Sequence, residues 1–228
     1  MQTTNKMRLI TIGFLIILSI LAIPMMSCSS KKTTDNGIHE NLFPGDSYTF
    51  AGYQWLVLAV ENGRALLLAE RCIKEYNYHY TSTLIPTTYE ESVIRAELYR
   101  FYNYTLNEAE RARIATVTQK NLNNQNYGTN GGKDTSDPVF LLSLEEVVKY
   151  FGDSGNLGKP NIPEIIDQFD SKRQARHHSN NNFTNWWLRS PGNDNRFAAY
   201  VHSTGGIVVF GQLVNRTMGL RPALWIKL

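Results

Sequence analysis

Residues 185–193 read NWWLRSPGN, placing two of the chain's four tryptophans side by side ahead of a Ser-Pro-Gly turn. Read as a strand, the stretch sends neighbouring side chains to opposite faces. Trp186 and Leu188 then share one face, and Trp187 and Arg189 share the other. The segments that follow, FAAYVHS, IVVFG and LRPALWIKL, also read as strands, divided by Pro191-Gly192, Gly205-Gly206 and Met218-Gly219, and the first and last of them repeat the pattern. In FAAYVHS the split is Phe197, Ala199 and Val201 against Ala198, Tyr200 and His202. In LRPALWIKL it is Leu220, Leu224 and Ile226 against Arg221, Trp225 and Lys227. The C-terminal half therefore reads as an antiparallel β-meander in which each strand has one apolar face and one aromatic and basic face.

Working back towards the N-terminus, YQWLVLAV and RALLLAE flank Glu61-Asn62-Gly63. Asn-Gly between two apolar runs is a strong hairpin signal, because both residues tolerate positive φ. Consecutive apolar positions in these strands predict that both of their faces are covered. Three helix starts follow: Thr88-x-x-Glu91, Asn107-x-x-Glu110 and Ser143-x-x-Glu146. In each, the first side chain can cap a free amide while the acid reaches back. Between the second and third lies QKNLNNQNYGTNGGKDTSDP, a polar stretch long enough to be functional or disordered. A hairpin, about three helices and then a meander predict a single α+β domain over residues 44–228.

The first residues predict a compartment. Lys6 and Arg8 precede residues 9–26, LITIGFLIILSILAIPMM, which carry no charge. This reads as an export signal over 1–27. Cys28 directly follows the small Ser27, and MMSC resembles the lipobox at which bacterial lipoproteins are cut and acylated. Residues 28–43, which include SSKKTTDNG, then form a polar tether with a reach of about 20 Å as a flexible coil. The predicted protein is exported and lipid-anchored to the bacterial cell envelope through Cys28. The second cysteine, Cys72, sits in an apolar run and reads as buried and inert. Without residues 1–27, 21 basic and 20 acidic side chains remain, a net of +1 that argues against nucleic acid as a partner.

The blocks W-W-L-R-S-P-G, A-A-Y-V-x-S-T-G-G and G-L-R-P-A-L-W-I resemble the bacterial domain-of-unknown-function family 6273. Y-Q-W-L-V-L-A-V, F-Y-N-Y-T-L-N-E-A-E-R-A-R-I, Y-G-T-N-G-G-K-D-T-S-D and F-L-L-S-L-E-E-V match its other blocks, so the resemblance covers nearly all of residues 45–228, with one departure at Leu98-Tyr99, where the family pattern has Leu-Asn. The C-terminal half is also similar to the C-type-lectin-like fold of the formylglycine-generating enzymes. Their oxidase chemistry needs a pair of active-site cysteines, and the folded part of this chain has only Cys72. That activity is therefore not carried over.

The second strand faces supply the candidate site. Trp187, Arg189, Tyr200, His202, Arg221 and Trp225 would form one surface if their strands are neighbours in register. Indoles would stack on a sugar and arginine would fork a carboxylate, which points to a glycan- or peptide-binding module without catalysis or cofactor. The alternative is that both faces are covered and Arg189 and Arg221 are paired structural arginines. Two other readings stay open: a hydrolase using His177, His178 and His202, and a structural envelope component. His177-His178 lacks metal-motif spacing, and Asp134 and Asp137 do not match a calcium loop, so no metal is expected.

Overall fold

The computed structural model describes residues 41–80 and 83–228, and the backbone of a short strand at Lys32–Thr33. The predicted signal segment and Cys28 lie outside the described residues. Among those described, no helix is long and apolar enough to cross a membrane.

The Asn-Gly hairpin forms as its sequence dictates. Strands Tyr53–Glu61 and Arg64–Ala69 pair antiparallel, with Glu61 opposite Arg64. Asn62 and Gly63 take φ of 52° and 68°, matching the right-handed twist of the flanking strands. A second tight turn at Ala51-Gly52 joins Ser47–Phe50 to Tyr53, and it too has positive φ, 52° and 77°. Strand Ala223–Lys227 pairs with the far side of Arg64–Ala69 and is itself flanked by Ile114–Ala115 and Val139–Phe140. This completes the first sheet.

The second sheet contains the predicted meander, with one departure. Trp186–Pro191, Phe197–Val201 and Ile207–Leu213 pair antiparallel in succession. Thr217–Leu220 instead returns beside Trp186–Pro191 in parallel, with Gly219 opposite Trp186, and pairs on its other side with Lys74–Asn77. LRPALWIKL is thus not one strand. The chain leaves the second sheet at Leu220 and enters the first at Ala223, with Arg221-Pro222 as the crossing. Proline lacks an amide and cannot continue a ladder on both sides.

Two of the three predicted helix starts form complete capping boxes: Asn107 with Glu110 opens Glu108–Arg113, and Ser143 with Glu146 opens Leu144–Phe151. The third is displaced. Thr88 makes no cap; Tyr89–Glu91 is one 3-10 turn, and Ser92 caps helix Val93–Arg100 by accepting from the Arg95 amide at 3.3 Å. Ser92 has an extended backbone (φ −71°, ψ 146°), which breaks the 3-10 turn and restarts the helix. That helix then widens into a π turn over Phe101–Thr105. A short fourth helix, Asp170–Arg173, was not predicted.

Each sheet feeds two core clusters by alternation. Trp55, Val57, Leu67, Leu224 and Trp187 enter one, together with Ile94 and Leu98 of helix Val93–Arg100. Leu66, Leu68, Trp186, Leu188 and Ala223 enter the other, together with Leu144 and Val147 of helix Leu144–Phe151. Residues Ala65 to Ala69 are all buried, as a strand covered on both faces requires. The same holds for Trp186–Pro191, every residue of which is buried.

The polar stretch 119–138 is ordered against this core. Strands Val117–Gln119 and Thr135–Asp137 close its ends. Inside it, the buried Asn124 donates to the carbonyls of Pro191, Gly192 and Val209 and accepts from the Asn126 amide. Gly131 passes so close to this loop's own backbone that a Cβ would stand 2.3 Å from the Asn121 carbonyl oxygen, so only glycine fits.

The two tryptophans are equally buried, each 0% exposed, and this replaces the expectation that Trp187 lies on an open ligand-binding surface. Trp186→Ala and Trp187→Ala should each cost about 3–5 kcal/mol, since either empties an indole-sized volume. Denaturant unfolding of the two variants checks this; a loss below about 1 kcal/mol at Trp187 would show its face to be open.

Candidate functional site

The structure does not bring the six expected site residues onto one surface. Trp187 lies between Tyr78 and Tyr200, at centroid distances of 5.6 and 6.4 Å, and its indole donates to the Tyr76 carbonyl. Arg189, 3% exposed, donates to the Leu141 carbonyl at 2.7 Å and grips both carboxylate oxygens of Glu146. Arg221, also 3% exposed, donates from Nε to the Ala69 carbonyl and from a terminal nitrogen to the Arg173 carbonyl, with its guanidinium 4.7 Å from the Trp186 ring centre. Trp225 is half-buried in the first sheet under Arg64, and Tyr200 is half-buried in the second. The alternation along each strand was read correctly. Trp186–Pro191 and Phe197–Val201 are neighbours, but the premise fails for the last segment, because Trp225 sits in the other sheet and Arg221 at the crossing.

The histidines hold turns. His202 Nδ1 lies 2.8 Å from the Thr204 hydroxyl and accepts from the Thr204 amide. His177 Nδ1 repeats that geometry with Ser179, while its Nε2 faces Glu75 at 3.4 Å. The recurrence two residues downstream of each histidine is local turn chemistry. His178 stacks on His177 at 4.1 Å. Among the described residues no group of three or more His, Cys, Asp or Glu side chains is arranged to hold a metal. Asp137 is fully buried against Arg95, and Asp134 pairs with Lys120. Cys72 is buried, and burial pushes its thiol up to about 12 despite the opposing charge of Arg221, so it stays protonated at neutral pH.

Sequence reasoning missed a different place, where the two sheets meet the π turn. A cleft of about 370 Å³ opens there, with Tyr53, Lys74, Glu97, Arg100, Tyr104 and Thr105 on its walls. Its floor includes Phe101 and Leu220, both buried in the core. A neighbouring cleft of about 410 Å³, with Gln54, Glu70, Arg71 and His178 on its walls, shares Tyr53 and Ile73 with the first. Tyr53 thus stands between them. Its ring is fixed edge-on by Phe101 at 5.5 Å and Trp55 at 6.3 Å, and the Ala51-Gly52 turn sets its position. The π turn adds a residue to the helical ladder, and such turns cluster at functional sites. Here it carries Tyr104, 86% exposed, and Thr105 to the cleft rim. Lys74 and Glu97 pair at 2.7 Å across one wall, whereas the exposed Arg100 has no hydrogen-bond or ion-pair partner among the described residues. The available signal was F-Y-N-Y-T, an aromatic run immediately after a helix.

Buried arginine pairs make two predictions. Glu146→Ala leaves Arg189 charged, buried and half-satisfied, and should cost about 3–5 kcal/mol. Replacing both residues by apolar ones of similar volume should recover much of that loss, as read by a double-mutant cycle in denaturant. The second concerns acid. Burial raises the Asp167 carboxyl, but hydrogen bonds from Arg173 and the Phe169 amide outweigh it and hold the group below its ordinary value. A depressed folded value stabilises the protein at pH above the unfolded carboxylate value of about 3.9, and the contribution is lost as pH falls through the folded value. Asp167→Asn should therefore flatten the acid limb of stability against pH; an unchanged limb would remove Asp167 from it.

Two of three comparisons with known proteins return nothing: no curated protein matches the chain, and no solved structure does. The third, against protein-family models, matches residues 62–228 to a family described as a domain of unknown function, DUF6273. The match takes in Arg64–Ala69 of the hairpin, the π turn, Asn124, Arg173, Arg189 and Arg221. The chain belongs to the DUF6273 family.

Proposed function

We propose that this protein is an exported lipoprotein, anchored to the cell envelope through acylated Cys28, whose folded part binds a glycan or peptide ligand without catalysis. The observation that carries the binding reading is the pair of clefts meeting at Tyr53, with a rigid ring at the centre and exposed Tyr104 and Arg100 at the rim. Clefts of a few hundred Å³ lined by aromatic rings and a few polar groups are the usual form of small-ligand sites. The C-type-lectin-like likeness of the C-terminal half is part of this proposal as a comparison of fold, carried by Gly219-Leu220-Arg221 near the C-terminus. The anchoring reading rests on the uncharged run 9–26 and the Ser27-Cys28 junction.

One array and one fractionation test it. Full-length protein in detergent, probed on a glycan and peptide array, should select ligands whose binding falls at least about tenfold in Tyr104→Ser, with the melting temperature unchanged because Tyr104 is exposed. Ligands indifferent to Tyr104 would place binding elsewhere. Cys28→Ser should leave the protein unprocessed or released from the membrane fraction, because acyl chains on Cys28 are the proposed anchor. Processing and retention as in wild type would overturn the lipid anchor.

A further inference from the structure

We infer that the groove through Tyr53 selects a saccharide bearing a carboxylate, with a sugar ring on the Tyr53 platform and the carboxylate on Arg100; this rests on the cleft being the binding site. Three observations converge. Arg100 lines the cleft in the last turn of helix Val93–Arg100, is exposed, and has no acid, carbonyl or ring partner among the described residues. The arginines around it are consumed: Arg95 by Asp137, Arg111 by the Asn103 carbonyl, Arg71 by the carbonyls of His177 and Asn180. Lys74, the other cation in the same cleft, is held by Glu97 and lies 4.7 Å from the Tyr76 ring centre. The cleft therefore offers one uncompensated planar fork, the geometry that takes a carboxylate through two parallel hydrogen bonds.

The walls favour a sugar over a peptide side chain. Of the apolar residues of the cleft, Phe101 and Leu220 are buried and Ile73 is only partly exposed, which leaves little apolar surface for an anchor. The other lining residues carry rings, a hydroxyl and charge: Tyr53, Tyr104 and Thr105, beside the Lys74–Glu97 pair. Pyranose rings present C–H faces to aromatic rings and hydroxyls to such groups. Tyr53 is clamped by Phe101 and Trp55, so its platform exists before a ligand arrives and its ordering is not charged to binding. The second cleft continues past Tyr53 with Gln54, Glu70, Arg71 and His178 on its walls, giving hydrogen-bonding groups for further sugar units. The acid end of the ligand is placed at Arg100, because Arg71 and Lys74 are already held by the protein's own carbonyls and carboxylate.

The test uses matched probes with full-length protein in detergent. A tetrasaccharide of alternating glucuronate and N-acetylglucosamine is titrated by calorimetry against its methyl ester, in which the carboxylates are neutral and the rings unchanged. The acid should bind at least about tenfold more tightly than the ester. Arg100→Gln should abolish that preference, bringing acid and ester to equal affinity, with the melting temperature unchanged because Arg100 is exposed. Equal affinity for acid and ester, or a preference that survives Arg100→Gln, overturns the carboxylate assignment even if Tyr104-dependent binding stands. No binding of either tetrasaccharide overturns it as well. A tetra-alanine peptide that binds in an Arg100-dependent manner where the saccharides do not would show the fork reading a peptide terminus, and overturns it too.

Discussion

The guanidinium of Arg221 is buried at the point where the chain passes from one sheet to the other, with no carboxylate at ion-pair distance among the described residues. Its charge is met by the Ala69 and Arg173 carbonyls and the face of Trp186. Burial lowers its affinity for the proton to about 10, still well above neutral pH, so the arginine remains a cation inside the protein. The crossing is closed by a further bond, the Ala69 amide donating to the Pro222 carbonyl at 2.9 Å. The end of strand Arg64–Ala69, the end of helix Asp170–Arg173 and the start of strand Trp186–Pro191 therefore meet at one side chain. An unpaired buried cation is tolerated only if its donors are aimed at fixed acceptors, and these three elements supply them.

The same device recurs around the molecule. Arg173, 0% exposed, spans Asp167 and Asp170 and lends its own carbonyl to both Trp186 and Arg221. Arg189 ties Glu146, at the start of helix Leu144–Phe151, to the carbonyls of Leu141 and Lys120. Glu146 thus serves twice: it completes its own helix cap and neutralises a strand arginine. Asn124 performs the neutral version for the long polar loop. Irregular segments between the sheets carry backbone groups that no ladder satisfies, and long planar donors reach several of them from one anchor point.

This consumption of charge isolates the cleft. Both arginines read from the sequence as ligand contacts, Arg189 and Arg221, are committed to the protein's own carbonyls and acids. Arg100, on the last turn before the π turn, is left facing open space beside a fixed tyrosine. Rigidity comes from the core beneath, because Phe101 and Leu220 are at once cleft floor and core. A groove built on such a floor keeps its shape without a ligand, which lowers the ordering cost of binding.

Local pattern determined much of the fold. The Asn62-Gly63 hairpin, two of three capping boxes, the three-strand meander and the alternation of Trp186 with Trp187 are each set by residues within a few positions of one another. Consecutive apolar residues in Arg64–Ala69 also announced burial on both faces. Tertiary structure alone decided which strands are neighbours. One residue pair, Arg221-Pro222, splits an apparently continuous strand and sends Trp225 to the other sheet, which dissolves the expected aromatic and basic surface. It likewise decided that Trp187 is core, since alternation assigns a side chain to a face but not what covers that face. The cleft was illegible for the same reason. Tyr53, Lys74 and Arg100 are far apart in sequence, and their meeting depends on sheet pairing and on a π turn whose extra residue no periodicity in the sequence reveals.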